Sequence, residues 1–234
     1  MSTLRLAVIG DGKMGRLVDA LAREQGVDVA AFLGRDAVLA NGISAGTLHG
    51  ANVAIEFTQP EAAAANVRAC VGAQCAVVCG TTGWDAERAA VEADVRARRG
   101  ALLWAPNFSL GVHIFTALVA EAARRARAAG GFDAHLIETH HTAKLDAPSG
   151  TARQLARAAE QASGAAVPIT SIRVGSVPGT HELVIDGAFE QVRLVHEERD
   201  RRVFALGALA AARWIVGRTG VFSLNDMLAT PGGA

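Results

Sequence analysis

The sequence predicts an α/β protein with a Rossmann-type parallel sheet in one domain and a smaller α+β domain whose sheet is mixed or antiparallel. Short apolar runs alternate with longer amphipathic stretches, a glycine-rich motif follows the first run, and the pattern changes after Phe108. The chain has 234 residues, 50% of them apolar, which suffices for one sizeable core or two modest ones. We predict a first domain over 1–108, a second over 109–202, and a helical segment over 203–234 that returns to the first.

Five short apolar runs are the predicted strands of the first domain, because such runs are typical of a parallel sheet that is buried on both faces. They cover 6–9, 29–33, 53–57, 76–79 and 102–105. Amphipathic stretches over 14–24, 60–71 and 85–99 are the predicted helices between them. Thr58 and Glu61 have the spacing of a capping box, which predicts a helix start directly after the third strand.

The second domain has a different order of elements. Helices are predicted over 110–129 and 149–162, and strands over 134–139, 169–175, 181–185 and 190–196. Asp186-Gly187 is a common hairpin turn dipeptide, so the last two strands are predicted to be antiparallel neighbours. A further apolar helix over 203–216 is expected to pack back on the first domain.

A glycine-rich loop joins the first predicted strand to the first helix. Its pattern, G-x-G-x-x-G, allows a tight turn, and the helix start offers N–H groups and a positive dipole end to a pyrophosphate. The motif alone is weak, and a turn without ligand is the alternative, but the surrounding strand and helix favour dinucleotide binding. The candidate cofactor residues are Gly10, Asp11, Gly12, Lys13, Met14 and Gly15.

The end of the second predicted strand bears on the choice between NADH and NADPH. Dinucleotide-binding domains commonly place an acidic residue there to bind the adenosine ribose hydroxyls. Gly34 has no carboxylate, whereas Arg35 has a planar cation suited to a 2′-phosphate. We therefore favour NADPH and leave NADH open because Asp36 is adjacent; a solvated loop arginine is the alternative interpretation of Arg35.

Two further loops follow predicted strands at the carboxyl edge of the sheet, where open α/β sheets bind ligands. Helix capping by the threonines and a simple turn at the asparagine are the alternative interpretations. The candidate residues are Gly80, Thr81 and Thr82 after the fourth strand, and Ala105, Pro106, Asn107 and Phe108 after the fifth.

The segment 138–152 concentrates the groups that could perform chemistry. It contains imidazoles at His140 and His141, an ammonium at Lys144, and the helix start Ser149-Gly150-Thr151. A histidine can donate a proton, and a lysine near a helix N-terminus suits a carboxylate substrate. Adjacent histidines on one strand point to opposite faces, so we predict no metal site with Glu138; a structural histidine is the stronger alternative.

This segment resembles the signature of the 4-hydroxy-tetrahydrodipicolinate reductase family, also called dihydrodipicolinate reductases, of diaminopimelate and lysine biosynthesis. Order and spacing agree over nearly the whole chain, from the glycine loop and Gly80-Thr81-Thr82-Gly83 to Phe204-Ala205-x-Gly207-Ala208. The resemblance implies an enzyme that uses NADPH or NADH and acts on a small cyclic dicarboxylate. Hydride delivery to a conjugated imine would be followed by protonation.

The resemblance also implies roles for individual residues. It makes His140 the proton donor and Lys144 a substrate ligand that assists protonation. It assigns the substrate carboxylates to His141, Ser149, Gly150 and Thr151, and the nicotinamide side to Gly80–Thr82 and Ala105–Phe108. It implies a homotetramer built through the second domain's sheet. The glycine loop is shorter than in many members and 197–201 is more charged, which leaves the cofactor preference and the role of Arg201 open.

Composition argues against several other classes of function. Lys plus Arg and Asp plus Glu are equal at 23 each, and no basic run is interleaved with aromatics, so we expect no nucleic-acid partner. No membrane-spanning run or signal peptide is recognisable, so we expect a cytoplasmic protein without a membrane partner. A non-catalytic NAD(P)-sensing protein and an amino-acid dehydrogenase are the alternative functions; His140 with Lys144 favours the enzyme over the sensor.

Overall fold

The computed structural model describes residues 4–229. They form two compact units, of which one holds the described residues up to Ser109 together with those from Arg202 onward. The other is the continuous stretch Leu110–Arg201. The first unit is therefore made from two separated parts of the chain.

The first unit is built on a six-stranded sheet in which all neighbouring strands are parallel. Its elements are β1 (Arg5–Ile9), α1 (Lys13–Glu24), β2 (Asp28–Leu33), α2 (Arg35–Asn41), β3 (Val53–Glu56), α3 (Pro60–Gly72), β4 (Ala76–Cys79), α4 (Asp85–Ala97) and β5 (Ala101–Trp104), followed by α7 (Arg202–Ile215), β10 (Gly220–Phe222) and α8 (Leu224–Ala229). The strand order is β10-β5-β4-β3-β1-β2. Helix α7 packs on α1 and against β3, β4 and β5.

The central strands of this sheet are buried on both faces. All four residues of β3 have no accessible surface, which is what a continuous apolar run in a covered parallel sheet predicts. The three cysteines are free and buried, as expected for small core residues, and burial raises the pKa of the Cys75 thiol to about 12. The five predicted strands and three predicted helices are confirmed within two residues at each end.

The predicted capping box at Thr58 is wrong, although α3 begins where expected. Gln59 is the N-cap residue and makes no side-chain cap hydrogen bond, and Pro60 occupies the first turn. The Thr58 hydroxyl instead donates to the Glu56 carboxylate, which is fully buried and also accepts from Asn66 Nδ2 at 3.2 Å. A buried carboxylate requires hydrogen-bond donors. The Thr58 side chain therefore binds Glu56 at the end of β3 and does not cap α3.

The second unit combines two helices with a four-stranded mixed sheet. Its elements are α5 (Leu110–Ala129), β6 (Phe132–His140), α6 (Gly150–Ser163), β7 (Ile169–Arg173), β8 (Gly179–Gly187) and β9 (Gln191–Glu198). The strand order is β7-β6-β8-β9, with β6 and β7 parallel and the other pairs antiparallel. Side chains of both helices share one core with Leu136 and Leu183 of the sheet.

The predicted hairpin between β8 and β9 exists, but its turn is displaced. Asp186 and Gly187 belong to β8, and Asp186 pairs with Gln191. The connection covers residues 188–190, where the Gly187 N–H donates to the Glu190 carbonyl at 2.9 Å. The strands continue beyond the predicted turn because their ladder hydrogen bonds are satisfied there. None of the helices within residues 4–229 is long and apolar enough to cross a membrane.

Candidate active site

The helix-facing side of the second sheet changes from apolar to ionisable along its strands. Alternate residues of a strand lie on one face, so the face that begins with Leu136 continues with Glu138 and His140 on β6. By the same alternation, His181 and Gly179 follow Leu183 on β8. The ionisable side chains therefore gather at the end of the sheet where α6 begins.

Glu138 is the centre of this cluster and has no accessible surface. Its Oε1 accepts from Arg173 Nη2 at 2.8 Å and from the Ser149 N–H at 3.3 Å, and its Oε2 is hydrogen-bonded to His140 Nδ1. Burial raises the pKa of this carboxyl, but hydrogen bonds from Arg173, Ser171 and His140 outweigh burial and lower it to about 2. Glu138 is therefore a carboxylate at neutral pH.

His140 is buried and held by two neighbours. Because Glu138 is ionised, Nδ1 of His140 is the donor in their hydrogen bond, which leaves Nε2 available for a reacting group. The ring packs edge-on against His181, with 5.2 Å between the ring centroids. A Cβ atom at Gly179 would lie 3.2 Å from Nε2, so glycine keeps the space beside this nitrogen open. Burial lowers the pKa of His140, and Lys144 and Arg173 lower it further, although Glu138 opposes the shift.

The loop between β6 and α6 is tied to β7 by Arg173. The guanidinium donates to the carbonyls of Lys144, at 3.3 Å from Nε, and of Asp146, at 2.5 Å from Nη2. Within the loop, Lys144 Nζ lies 2.8 Å from Asp146 Oδ1. His141 is half-buried and follows the end of β6 directly. One guanidinium thus connects the loop to the carboxylate that holds His140.

The start of α6 presents its backbone to solvent but not its capping hydroxyl. Ser149 is the N-cap residue, and its Oγ accepts from the Ala152 N–H at 3.0 Å and lies 3.3 Å from His181 Nε2. This hydroxyl is buried, whereas Gly150 is exposed and Thr151 half-buried. The groups that can meet an anion at this helix start are therefore those of Gly150 and Thr151.

Sequence reasoning missed three members of this cluster. Arg173 is 35 positions from Glu138, and nothing around it in sequence marks it. His181 is buried, and burial lowers its pKa to about 4. Glu198 lies near Gly179, and burial raises its pKa while Lys144 and Arg201 oppose the shift. Alternation along β8 and β9 could have found the last two. Across residues 4–229, no group of three or more His, Cys, Asp or Glu side chains could hold a metal ion.

The glycine loop of the first unit is shaped for close backbone approach. Gly10 has φ of +106°, and a Cβ there would collide with the Phe57 carbonyl oxygen. A Cβ at Gly15 would collide with the Gly10 carbonyl oxygen in the same way. Gly12 precedes α1, which begins at Lys13, and Met14 lies in its first turn. These residues fit a pyrophosphate at the start of α1, because the turn is tight and the first N–H groups of the helix have no helical partners.

The other candidate cofactor residues lie at or beside the carboxyl ends of β2, β4 and β5. Arg35 is exposed and is the first residue of α2, a helix that the sequence did not predict.

Thr81 is buried; its hydroxyl accepts from the Thr58 N–H at 2.7 Å, and its carbonyl accepts from two tryptophans. Thr82 is exposed, and Gly80 lies against the Phe57 ring. After β5, Ala105 and Phe108 are buried, Pro106 is exposed, and Asn107 Oδ1 accepts from the Ser109 N–H at 2.7 Å.

Comparisons with known proteins agree over both units. A family model described as dihydrodipicolinate reductase, N-terminus, matches residues 4–108, and one described as dihydrodipicolinate reductase, C-terminus, matches 111–228. The chain is 40% identical to 4-hydroxy-tetrahydrodipicolinate reductase of Stenotrophomonas maltophilia K279a, covering 96% of this chain and 98% of that protein. It is 36% identical to the protein of the same name from Thiobacillus denitrificans, covering 97% and 98%.

Solved structures show the same fold. The dipicolinate-bound dihydrodipicolinate reductase of Paenisporosarcina sp. TG-14 superposes with a TM-score of 0.79 at 19% identity, covering 95% of this chain and 98% of that one. The DAP dehydrogenase of C. glutamicum, solved in complex with DAP, gives a TM-score of 0.54 at 13% identity, covering 98% and 99%.

Proposed function

The chain belongs to the dihydrodipicolinate reductase family, and from that premise we propose that it reduces 4-hydroxy-tetrahydrodipicolinate, or its dehydrated form, to tetrahydrodipicolinate with NADPH or NADH. The observation that carries the proposal is the cluster of Glu138, His140 and Arg173 beside the start of α6. It combines a proton donor with a place for an anion, and the reduction of an imine dicarboxylate needs both.

His140 supplies the proton that completes the reduction. The hydroxylated form must first lose water to give the conjugated imine. Addition of hydride to that imine leaves an enamine, and one proton on its carbon gives the product. Nδ1 remains on the Glu138 carboxylate while Nε2 loses the proton, so the charge of the imidazolium is stabilised before transfer. The dianionic substrate offsets the positive charges of Lys144 and Arg173 that lower the pKa of His140, which favours the protonated ring when substrate is bound.

The substrate carboxylates are assigned to Lys144, His141 and the backbone of Gly150 and Thr151. Lys144 is held by Asp146 and must share its ammonium with the substrate. Ser149 contributes by capping the helix start and not by a side-chain contact with the substrate. Its hydroxyl already accepts from the Ala152 N–H and is hydrogen-bonded to His181 Nε2. The related structure from Paenisporosarcina holds dipicolinate, a planar ring with two carboxylates, which supports a ligand of this kind.

The cofactor is assigned to the glycine loop and the strand ends of the first unit. When bound, a reduced nicotinamide supplies the hydride. Gly10 to Gly15 take the pyrophosphate at α1, and Arg35 offers a charge to a 2′-phosphate. We assign the nicotinamide side to the segments Gly80–Thr82 and Ala105–Phe108. The reaction consumes a reduced nicotinamide, and the three thiols are unpaired, which supports a place in the cytoplasm.

We also propose a homotetramer joined through the uncovered face of the second sheet. This face carries Ile172, 42% exposed, and Val195, 52% exposed, and the neighbouring hairpin tip carries the fully exposed Phe189. Exposed apolar side chains of this kind favour association with further copies. Light scattering of the purified protein at several concentrations tests this assembly.

The reaction itself is tested by following the loss of reduced-nicotinamide absorbance with substrate made in situ by the preceding synthase of the pathway. We expect oxidation of NADPH or NADH that depends on that synthase. Omission of the synthase is the control. Absence of oxidation with both cofactors, in a protein that is folded by circular dichroism, would overturn the proposal.

A further inference from the structure

The glycine loop contains an acid that lies against the end of β2. Strand β2 ends at Leu33, and the next residue, Gly34, has no side chain where dinucleotide-binding domains commonly place an acidic one. Asp11 fills this space from the glycine loop. Its Oδ2, Cγ and Cβ atoms lie 2.7, 2.9 and 3.2 Å from the position that a Cβ atom of residue 34 would have.

We propose that Asp11 replaces the missing acid at the end of β2, binds the adenosine ribose hydroxyls of NADH, and disfavours the 2′-phosphate of NADPH. This inference rests on the proposed use of a nicotinamide cofactor and concerns the selection between its two forms. A carboxylate accepts well from two neighbouring hydroxyls. The same carboxylate repels a phosphate dianion in that place.

The surroundings of Asp11 leave its carboxylate available for such a ligand. Arg16 Nε donates to the main-chain carbonyl of Asp11 at 2.7 Å, which holds the residue through its backbone. Within residues 4–229, no hydrogen bond or ion pair occupies the carboxylate, and the residue is exposed. Asp11 is therefore positioned by the loop rather than by a partner of its side chain.

Asp11 and Arg35 have opposite effects on the choice between NADH and NADPH. Arg35 begins α2 directly after Gly34, and its exposed guanidinium suits a 2′-phosphate. The carboxylate from the glycine loop suits the hydroxyls that remain when the phosphate is absent. The ratio of the two dissociation constants is then set by these two side chains together, and each variant should move the ratio in a known direction.

The absence of a side chain at Gly34 leaves the space that Asp11 occupies. Gly34 has φ of −75°, a value open to any residue, so its backbone does not demand glycine. A side chain there would collide with Asp11. An acid at position 34 should accordingly replace Asp11 when position 11 is made small, which gives the proposal a rescue experiment.

The test is fluorescence titration of NADH and NADPH into wild type, Asp11→Asn, Asp11→Ala and the double variant Asp11→Ala/Gly34→Asp. We expect both single variants to lose about 10- to 100-fold in NADH affinity relative to NADPH, as for loss of a charge-assisted hydrogen bond. The double variant should restore most of the wild-type ratio of NADH affinity to NADPH affinity. Arg35→Ala should raise this ratio, because it weakens the binding of NADPH alone.

Glu24→Gln is the matched control, because it removes the same charge from an exposed position at the end of α1 that is not a candidate cofactor residue. An equally large shift in this control, or an unchanged ratio in both Asp11 variants, would overturn the role of Asp11 while leaving the enzyme assignment intact. Failure of wild type to bind either cofactor would instead overturn the proposed function, and this inference with it.

Discussion

The two units place different chemical groups where ligands are expected. In the first unit the candidate residues are glycines, helix-start N–H groups and loop residues at strand ends, and the sheet beneath them is largely apolar. In the second unit the site consists of ionisable side chains on the sheet itself, centred on the buried Glu138. The first unit can hold a phosphate through its backbone, whereas the second must stabilise charge before it can move a proton.

This difference predicts where substitutions are most costly. A backbone N–H survives most side-chain changes, so single variants in the first unit should alter selectivity more than they alter binding as a whole. A buried charge loses its compensation when one partner is removed, so single variants in the second unit should affect both turnover and folding. The Asp11 and Arg35 variants described above test this expectation in the first unit, and four experiments test it in the second.

His140→Gln should have the largest effect. Loss of a general acid lowers turnover by roughly 100- to 10,000-fold, while cofactor affinity should change little because cofactor binding is assigned to the first unit. Steady-state kinetics and cofactor titration measure the two quantities. His49→Gln, at an exposed histidine outside the candidate sites, is the control. Turnover near wild type in His140→Gln would remove this residue from the mechanism.

Arg173→Ala should lower the free energy of unfolding by about 3–5 kcal/mol, because it leaves the Glu138 carboxylate buried without its cation. The control is Arg23→Ala, which breaks the i,i+4 pair with Asp19 on the surface of α1 and should cost under about 1 kcal/mol. Denaturant titration measures both. Equal losses would show that burial does not distinguish these two ion pairs.

Mild acid should destabilise the protein through His181. Its pKa is about 4 in the folded chain and about 6.5 in an unfolded one, so between these values only the unfolded state takes up the proton. The contribution of His181 to the free energy of unfolding is therefore fully present above pH about 6.5. The free energy of unfolding falls by roughly 3 kcal/mol as the pH approaches about 4. Unfolding free energies of wild type and His181→Gln across this window measure the effect. An equal slope in both proteins would contradict it.

Lys144→Ala should weaken binding of pyridine-2,6-dicarboxylate by about 1.5–3 kcal/mol, since one carboxylate loses its charged partner. Thr151→Val should cost less, because the helix-start N–H groups remain. Competitive inhibition constants for wild type and the two variants decide the order. If wild type and Lys144→Ala bind equally well, the carboxylates are bound elsewhere in the molecule.

Prediction from sequence succeeded where the signal was local. The buried strands of the first sheet were found because four or five consecutive apolar residues suffice to identify them, as in β4. Strand β10 was missed because it has three residues and pairs with β5, more than a hundred positions away in sequence. Thr58 was misassigned because its competing partner, Glu56, is an acid inside an apolar run.

The candidate site shows the same division. The groups of segment 138–152 were recognised together because they are consecutive. Their common partner Arg173 was not, since the pairing of β6 with β7 brings it to Glu138 and no local pattern predicts that pairing. Asp11 was identified as a loop residue, but its position against Gly34 depends on the fold of the βα unit.

Strand β10 pairs with β5, and α7 packs on α1, so the larger sheet contains polypeptide from both sides of the second unit. During synthesis, the ribosome must release the whole of Leu110–Arg201 before the last strand of that sheet exists. The second unit is continuous and can acquire its helices and hairpin first. We expect a truncation before Arg202 to leave the parallel sheet with an unpaired edge at β5 and an uncovered apolar face, a state that chaperones bind and that aggregates.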